Sequence, residues 1–281
     1  MYLLLVIAAM LFSVQFMFHQ KFQQTRGDGV DASLLFQLNV GIVISLLMFI
    51  MNQFRIRVTL FSLALAFALS LVILSYMYFS MKAFKSANLA VYSIFAMLGG
   101  MLLPFVYGTV FCKEGITVGK ALGCILIVCS LMLTYEKGNK GKKCWQYYIA
   151  VFFFNGMMGV INKIHQSNSA HCTDSNSFLA MAYICVCVIS LIWYLTRNKS
   201  ITWIKPKEFT LTLGYGICNG IAELLCLIAL TRLAASVQYP MITGGTILFS
   251  AIVSAVVEKQ RSIKSICSAL IALIASIIII L

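Results

Sequence analysis

Acidic residues are scarce in this sequence: eight Asp and Glu stand against 21 Lys and Arg in 281 residues, and charged residues make up only 10% of the chain. Soluble domains carry about 25% charged residues, so there is too little polar surface here to coat a water-soluble core. Histidine occurs three times, and H-E-x-x-H, G-x-S-x-G and paired aspartates inside apolar runs are all missing. Those absences argue against zinc-hydrolase, serine-hydrolase and intramembrane aspartate chemistry, and no enzyme is expected. None of the ten cysteines forms a C-x-x-C pair. Cys185-x-Cys187 points its thiols about 200° apart on a helix, which suits neither a metal nor a disulfide. The cysteines read as polarisable packing residues, and no metal or cofactor is expected. Met1–Phe18 lacks a basic leader and a small-residue cleavage site, so it reads as a spanning helix and not a signal peptide.

What is abundant is apolar sequence. Hydrophobic residues make up 61% of the chain and the mean hydropathy is +0.96. Apolar runs of about 18–25 residues, each enough to cross a hydrocarbon core of about 30 Å, are expected at 2–19, 33–53, 59–80, 87–111, 117–134, 146–165, 177–196, 209–230, 235–257 and 263–281. Lipid offers no partner for free backbone groups, so these runs are helices. The fold class expected is an all-α membrane protein of about ten transmembrane helices, in the cell membrane and in contact with the bilayer, with monomer and homodimer both open. The net charge of +13 sits in short links and not on one face, so it reads as a topology signal and not as a nucleic-acid surface.

The chain repeats itself. Val43-Ile44-Ser45-Leu46 returns as Val188-Ile189-Ser190-Leu191, Gly99-Gly100 as Gly244-Gly245, His19-Gln20 as His165-Gln166, and Lys113-Glu114 as Glu258-Lys259 with the charges swapped. All four fall at an offset of 145 or 146. The division expected is a five-helix repeat at 1–136, a basic linker at 137–144 and a second five-helix repeat at 145–281. Five is odd, so the second copy enters the membrane from the opposite side. Such inverted repeats are a common construction of secondary transporters. The odd-numbered links carry 15 Lys and Arg and the even-numbered links six, which places the odd links in the cytoplasm and both termini outside.

Ala83-Phe84-Lys85-Ser86-Ala87-Asn88-Leu89-Ala90-Val91-Tyr92, an apolar helix, and then Glu114-Gly115-Ile116-Thr117-Val118-Gly119-Lys120-Ala121-Leu122-Gly123 together resemble the EamA-type unit of the drug/metabolite transporter superfamily. Glu114, Thr117 and Gly123 match the family spacing of Glu, Ser/Thr and Gly. The second half departs from it: the Ser after Glu258 comes one residue late, and Cys267 or Ser268 replaces the glycine. Ala229–Pro240 with Gly244-Gly245 is also similar to the small multidrug resistance proteins. The resemblance implies ten helices in paired inverted units and solute transport. The usual orientation in the family, with cytoplasmic termini, opposes the charge count.

Glu223 is the one acid well inside a predicted span. A carboxylate at that depth is costly unless protonated, paired or facing water, so it binds a cationic solute group, carries a proton, or bonds structurally to a neighbouring helix. Small multidrug resistance proteins hold their coupling glutamate in the first helix, where this chain has Gln15 and no acid. Gln15, Gln37, Asn39, Asn155, Asn162 and Asn219 are amides within spans, and either line a cavity or tie helices together. Tyr76, Tyr92, Tyr183 and Tyr239 wall such a cavity or anchor at the interface. His19 and His165 read as solvated interfacial rings or as paired gates. The functional expectation is a secondary transporter of a small organic metabolite or drug-like solute, by alternating access and with proton coupling open. The alternative is a lipid-linked-substrate flippase or a non-transporting membrane subunit.

Overall fold

The computed structural model describes residues 1–27, 29–86, 89–133, 145–168, 170–197, 204–257 and 263–280. The described residues form ten α-helices and no strand: α1 Tyr2–Arg26, α2 Val30–Met51, α3 Leu60–Ser86, α4 Leu89–Val110, α5 Val118–Leu133, α6 Trp145–Ser167, α7 Ser175–Arg197, α8 Pro206–Leu230, α9 Ala235–Val257 and α10 Ile263–Ile280. Seven of them, α1–α3 and α6–α9, are long and apolar enough to cross a membrane, while the described apolar stretches of α4, α5 and α10 are shorter. The chain is thus compatible with a multi-pass helical membrane protein. The basic linker expected at 137–144 lies outside the described residues, as does Glu258.

Helix ends follow backbone chemistry more than hydropathy. The first apolar run fades at about residue 19, yet α1 continues to Arg26, because Gln, Lys and Arg are good helix formers. It stops where Gly27 adopts φ 90°. That region is cheap only without a Cβ. The start of α8 has Pro206 in its first turn and Glu208 reaching back to the Lys205 amide, a capping arrangement that satisfies otherwise orphaned donors.

Packing interchanges the two halves. The main helix pairs are α1·α8 with α3·α6, α1·α9 with α4·α6, and α2·α8 with α3·α7, together with the pairs α2·α7, α4·α9 and α5·α10. Adding five to each helix of the first half, and subtracting five in the second, maps this set onto itself. Individual contacts obey the same shift. A Cβ on Gly100 would meet Asn155, and one on Gly245 would meet Ala9, a position 146 before Asn155. Gly123 abuts Ala275, while Ser130 and Ser268 exchange hydrogen bonds of 2.8 and 2.9 Å to each other's carbonyls. A shift of 145 carries one pair onto the other. The largest break in the pattern is that α9 packs along α10, whereas the described parts of α4 and α5 barely touch.

Glycine makes the closest approaches possible. A Cβ on Gly99 of α4 would collide with the Phe152 backbone of α6, and one on Gly159 of α6 with Pro104 and the Tyr239 ring. Small residues at crossings are the general device for helix association in lipid.

Candidate functional site

The polar positions Thr212, Tyr215, Asn219, Glu223 and Cys226 lie three or four apart on α8, which puts them on one face. That face looks inward at α7. Tyr183 Oη donates to Glu223 Oε1 at 2.9 Å, and Asn219 Nδ2 donates to the same oxygen at 3.0 Å and to Tyr183 Oη at 2.9 Å. Both donors therefore converge on Oε1. Oε2 has no hydrogen bond, and it is not among the sealed polar atoms without a partner. Glu223 itself is only partly buried, whereas Tyr183 and Asn219 are almost fully so.

The other described acids are neutralised differently. Asp31 pairs with Arg197 at 2.8 Å, Glu114 with Lys163 at 2.8 Å, and Glu208 with Arg26. Asp174 caps α7 through the Ser177 amide and hydroxyl. Glu223 is in none of the three ion pairs, and it stands about two turns inside the C-terminal end of α8. Its bonding neighbours are a phenol and an amide, both of which stabilise a carboxylate without cancelling its charge.

The bundle has two unlike ends. At the end that carries Met1, hydrogen bonds join the halves. Thr59 Oγ1 donates to the His171 carbonyl at 2.8 Å, and Ser177 Oγ accepts from the Arg57 amide at 3.0 Å. Ser62 Oγ meets His165 Nε2 at 3.2 Å and accepts from the Thr173 amide at 2.9 Å. Glu114, from the α4–α5 link, accepts from the Ala235 and Ser236 amides at 2.9 and 2.8 Å, which caps α9. Burial pushes the Glu114 carboxyl up, but the bonds from Lys163, Ser236 and Ala235 outweigh it and hold the group below its ordinary value. At the opposite end, a shallow recess with room for about one water molecule lies between α1, α2 and α3, lined by His19, Phe22, Gln23, Phe36, Met77 and Ser80 among others. A second, equally shallow, adjoins it through Ser33 and Met77 and includes Gln37. Two of its lining rings, His19 and Phe36, cluster with Tyr215 of α8, the three standing 4.8 to 5.9 Å apart. Tyr215 begins the α8 face that leads, two turns on, to Glu223.

Not every expected residue joins this site. Glu223 and Asn219 come together, whereas Tyr239 Oη donates to the Gly159 carbonyl of α6 at 2.8 Å. Asn155 instead donates to the Ala96 carbonyl of α4 at 2.6 Å, and Asn39 to Leu35 on its own helix at 2.7 Å. Both are therefore committed to backbone contacts away from Glu223. Gln15 is buried on α1 and Asn162 partly buried on α6, each with its side-chain oxygen unpartnered. Tyr92 stands in the first turn of α4, and its side chain lies outside the described ones. His165 is not a solvated interfacial ring: it is 1% exposed and stacks on Phe178 at 3.9 Å. Its repeat counterpart His19 faces the open recess. Tyr215 is the residue that sequence reasoning missed, although its spacing of four from Asn219 and eight from Glu223 was visible.

No metal-binding group of three or more ligating residues occurs among the described residues. No family model matches this chain, and no curated protein matches it. Solved structures do match. One, a crystal structure described only as that of a protein, superposes with a TM-score of 0.79 at 13% identity, covering 98% of this chain and 94% of that one. The two chains share a fold over nearly their whole lengths.

Proposed function

We propose that the chain is a secondary transporter that moves a small organic solute past Glu223 by alternating access, with its halves forming two inverted five-helix repeats of the drug/metabolite transporter type. The observation that carries this reading is the interchange of helix contacts between the halves, down to Gly100·Asn155 with Gly245·Ala9 and Gly123·Ala275 with Ser130·Ser268. Two copies related in this way can exchange their conformations, and exchange turns a structure open at one end into one open at the other. The unlike ends fit that scheme. One is hydrogen-bonded across the halves; the other holds a shallow recess lined by His19 and Phe36. On the charge distribution, the recessed end faces the cytoplasm.

Glu223 lies between these ends, and its accessible Oε2 is the point of contact for solute or proton. Reconstitution tests the reading. Proteoliposomes containing the chain should accumulate or release small organic solutes against empty controls, and Tyr215→Ala should raise leak by loosening the cluster it forms with the His19 and Phe36 rings. A broad solute screen without flux in either direction, under a proton gradient or without one, would sink the proposal.

A further inference from the structure

We propose that His165 is a proton-operated latch: the neutral ring holds the halves together at the end that carries Met1, and uptake of one proton releases them. The latch goes beyond the transporter reading and does not depend on it. Its frame is a clasp of hydrogen bonds between the start of α3 and the α6–α7 link. Thr59 Oγ1 donates to the His171 carbonyl at 2.8 Å and accepts from the Ser62 amide at 3.2 Å. Ser62 Oγ, fully buried, accepts from the Thr173 amide at 2.9 Å and meets His165 Nε2 at 3.2 Å. Beside it, Ser177 Oγ accepts from the Arg57 amide and from Asn52 Nδ2, both at 3.0 Å. Every one of these bonds except that of the Ser62 amide runs from the first half of the chain to the second.

His165 fits this clasp only while uncharged. Ser62 Oγ already accepts the Thr173 amide, and its own proton meets the lone pair of a neutral Nε2. The other ring nitrogen, Nδ1, is sealed from water without a partner. An imidazolium donates from both nitrogens. Charging the closed ring would set one N–H against the Ser62 hydroxyl and the other into a space with no acceptor, and a buried charge without partners is strongly disfavoured. The ionisable neighbours are committed elsewhere. Asp174, just before α7, gives one oxygen to the Ser177 amide and the other to its hydroxyl. Glu114 of the α4–α5 link pairs with Lys163 of α6, Cys172 Sγ donates to the His165 carbonyl, and Cys112 meets Ser167. Tyr107 of α4 stacks on Phe111, and the Arg57 and His171 side chains are exposed. Stacking on Phe178 favours a charged ring by less than the loss of water disfavours it. The proton therefore prefers the open clasp, where the ring reaches water, and a ligand shifts an equilibrium toward the state it prefers. A hydrated histidine titrates near pH 6.5, so the closed end holds its full advantage above that pH and loses it as pH falls below.

Hydrogen–deuterium exchange of the purified chain in detergent reads the clasp directly, by mass spectrometry of the peptides that hold the Arg57 and Thr173 amides, corrected for intrinsic rates. Between about pH 7.5 and 5.5 their protection should fall about tenfold, the limit for one proton on a group that titrates near 6.5 once open. Glu114, held below its ordinary 4.5, stays ionised across that window. His165→Gln should remove the pH dependence. The double variant His19→Gln/His171→Gln leaves His165 as the single histidine and should keep it. Protection that does not change with pH in the wild type overturns the proposal, as does a pH dependence that survives in His165→Gln or vanishes in the double variant. If His165→Gln does not fold, the double variant decides alone. A working latch without solute flux in proteoliposomes would defeat transport and leave the latch intact. Solute flux with pH-independent protection would do the reverse.

Discussion

Replacing Glu114 by glutamine removes one charge from a site with three obligations. The carboxylate neutralises Lys163, whose side chain is 10% exposed, and accepts from the first amides of α9. Breaking a buried ion pair from one side costs about 3–5 kcal/mol, because the other charge stays behind unpaired. The amide oxygen of Gln can still accept from one α9 donor, and the loss of a formal charge at a helix N-terminus adds roughly 0.3–1 kcal/mol. These contributions overlap, so Glu114→Gln is expected to cost about 3–5 kcal/mol in total. Lys163→Met leaves the carboxylate with two backbone donors and the α9 dipole, so it should cost only about 1–3 kcal/mol. The double variant should be no less stable than Glu114→Gln, since removing Lys163 removes the orphan. Denaturant unfolding in detergent, followed by tryptophan fluorescence, measures all three. The carboxyl is held below its ordinary value of 4.5, so its contribution is present above that pH and is lost as pH falls through the lower folded value. The wild type should therefore lose stability in that acid range, and Glu114→Gln should not share that loss. A Glu114→Gln cost below about 1 kcal/mol, or a larger cost for Lys163→Met, would refute the account.

Other perturbations probe separate features. Gly99→Ala forces a methyl into the Phe152 backbone and should cost about 1–3 kcal/mol, whereas Gly115→Ala meets nothing within 4 Å and should be neutral or slightly stabilising; equal Tm values for the two would contradict the packing argument. Tyr183→Phe removes one donor from Glu223 while Asn219 keeps the other, so a loss of about 1 kcal/mol is expected, and more than about 3 in the same unfolding assay would mean a further role for the hydroxyl. Asp31→Asn should change stability by less than about 1 kcal/mol, because both partners are nearly half exposed and such pairs are weak. Glu208→Gln, which leaves Arg26 beside a site only 4% exposed, should cost more than Asp31→Asn, and the reverse order in a direct comparison would show that burial does not set these costs.

The helices were legible because lipid imposes one rule on every backbone group, and apolar length reveals where it applies. Their ends were less so, as α1 shows by running past Lys21 to a glycine that hydropathy does not weigh. Glu223 stood out because a lone acid in an apolar run needs a reason. The amides did not sort themselves. Asn219 and Asn155 obey the same demand for a partner, but one finds it beside a carboxylate and the other on the Ala96 carbonyl, a choice made by helix packing. Lys163 shows the limit most clearly. Its charge is one of the six assigned from sequence to the even-numbered links, yet it lies buried in α6 against Glu114, a partner that separation along the chain conceals. His165 was similarly indistinguishable from His19 by position, and the two differ because one end of the bundle is bonded and the other recessed.

The Glu114 contacts also impose an order on synthesis. Glu114 leaves the ribosome first and Lys163 soon after, so the ion pair can close while the second half is incomplete. The α9 amides arrive later, a delay on the order of several seconds at ordinary translation rates. Through that interval Lys163 neutralises a carboxylate destined to cap a helix not yet made.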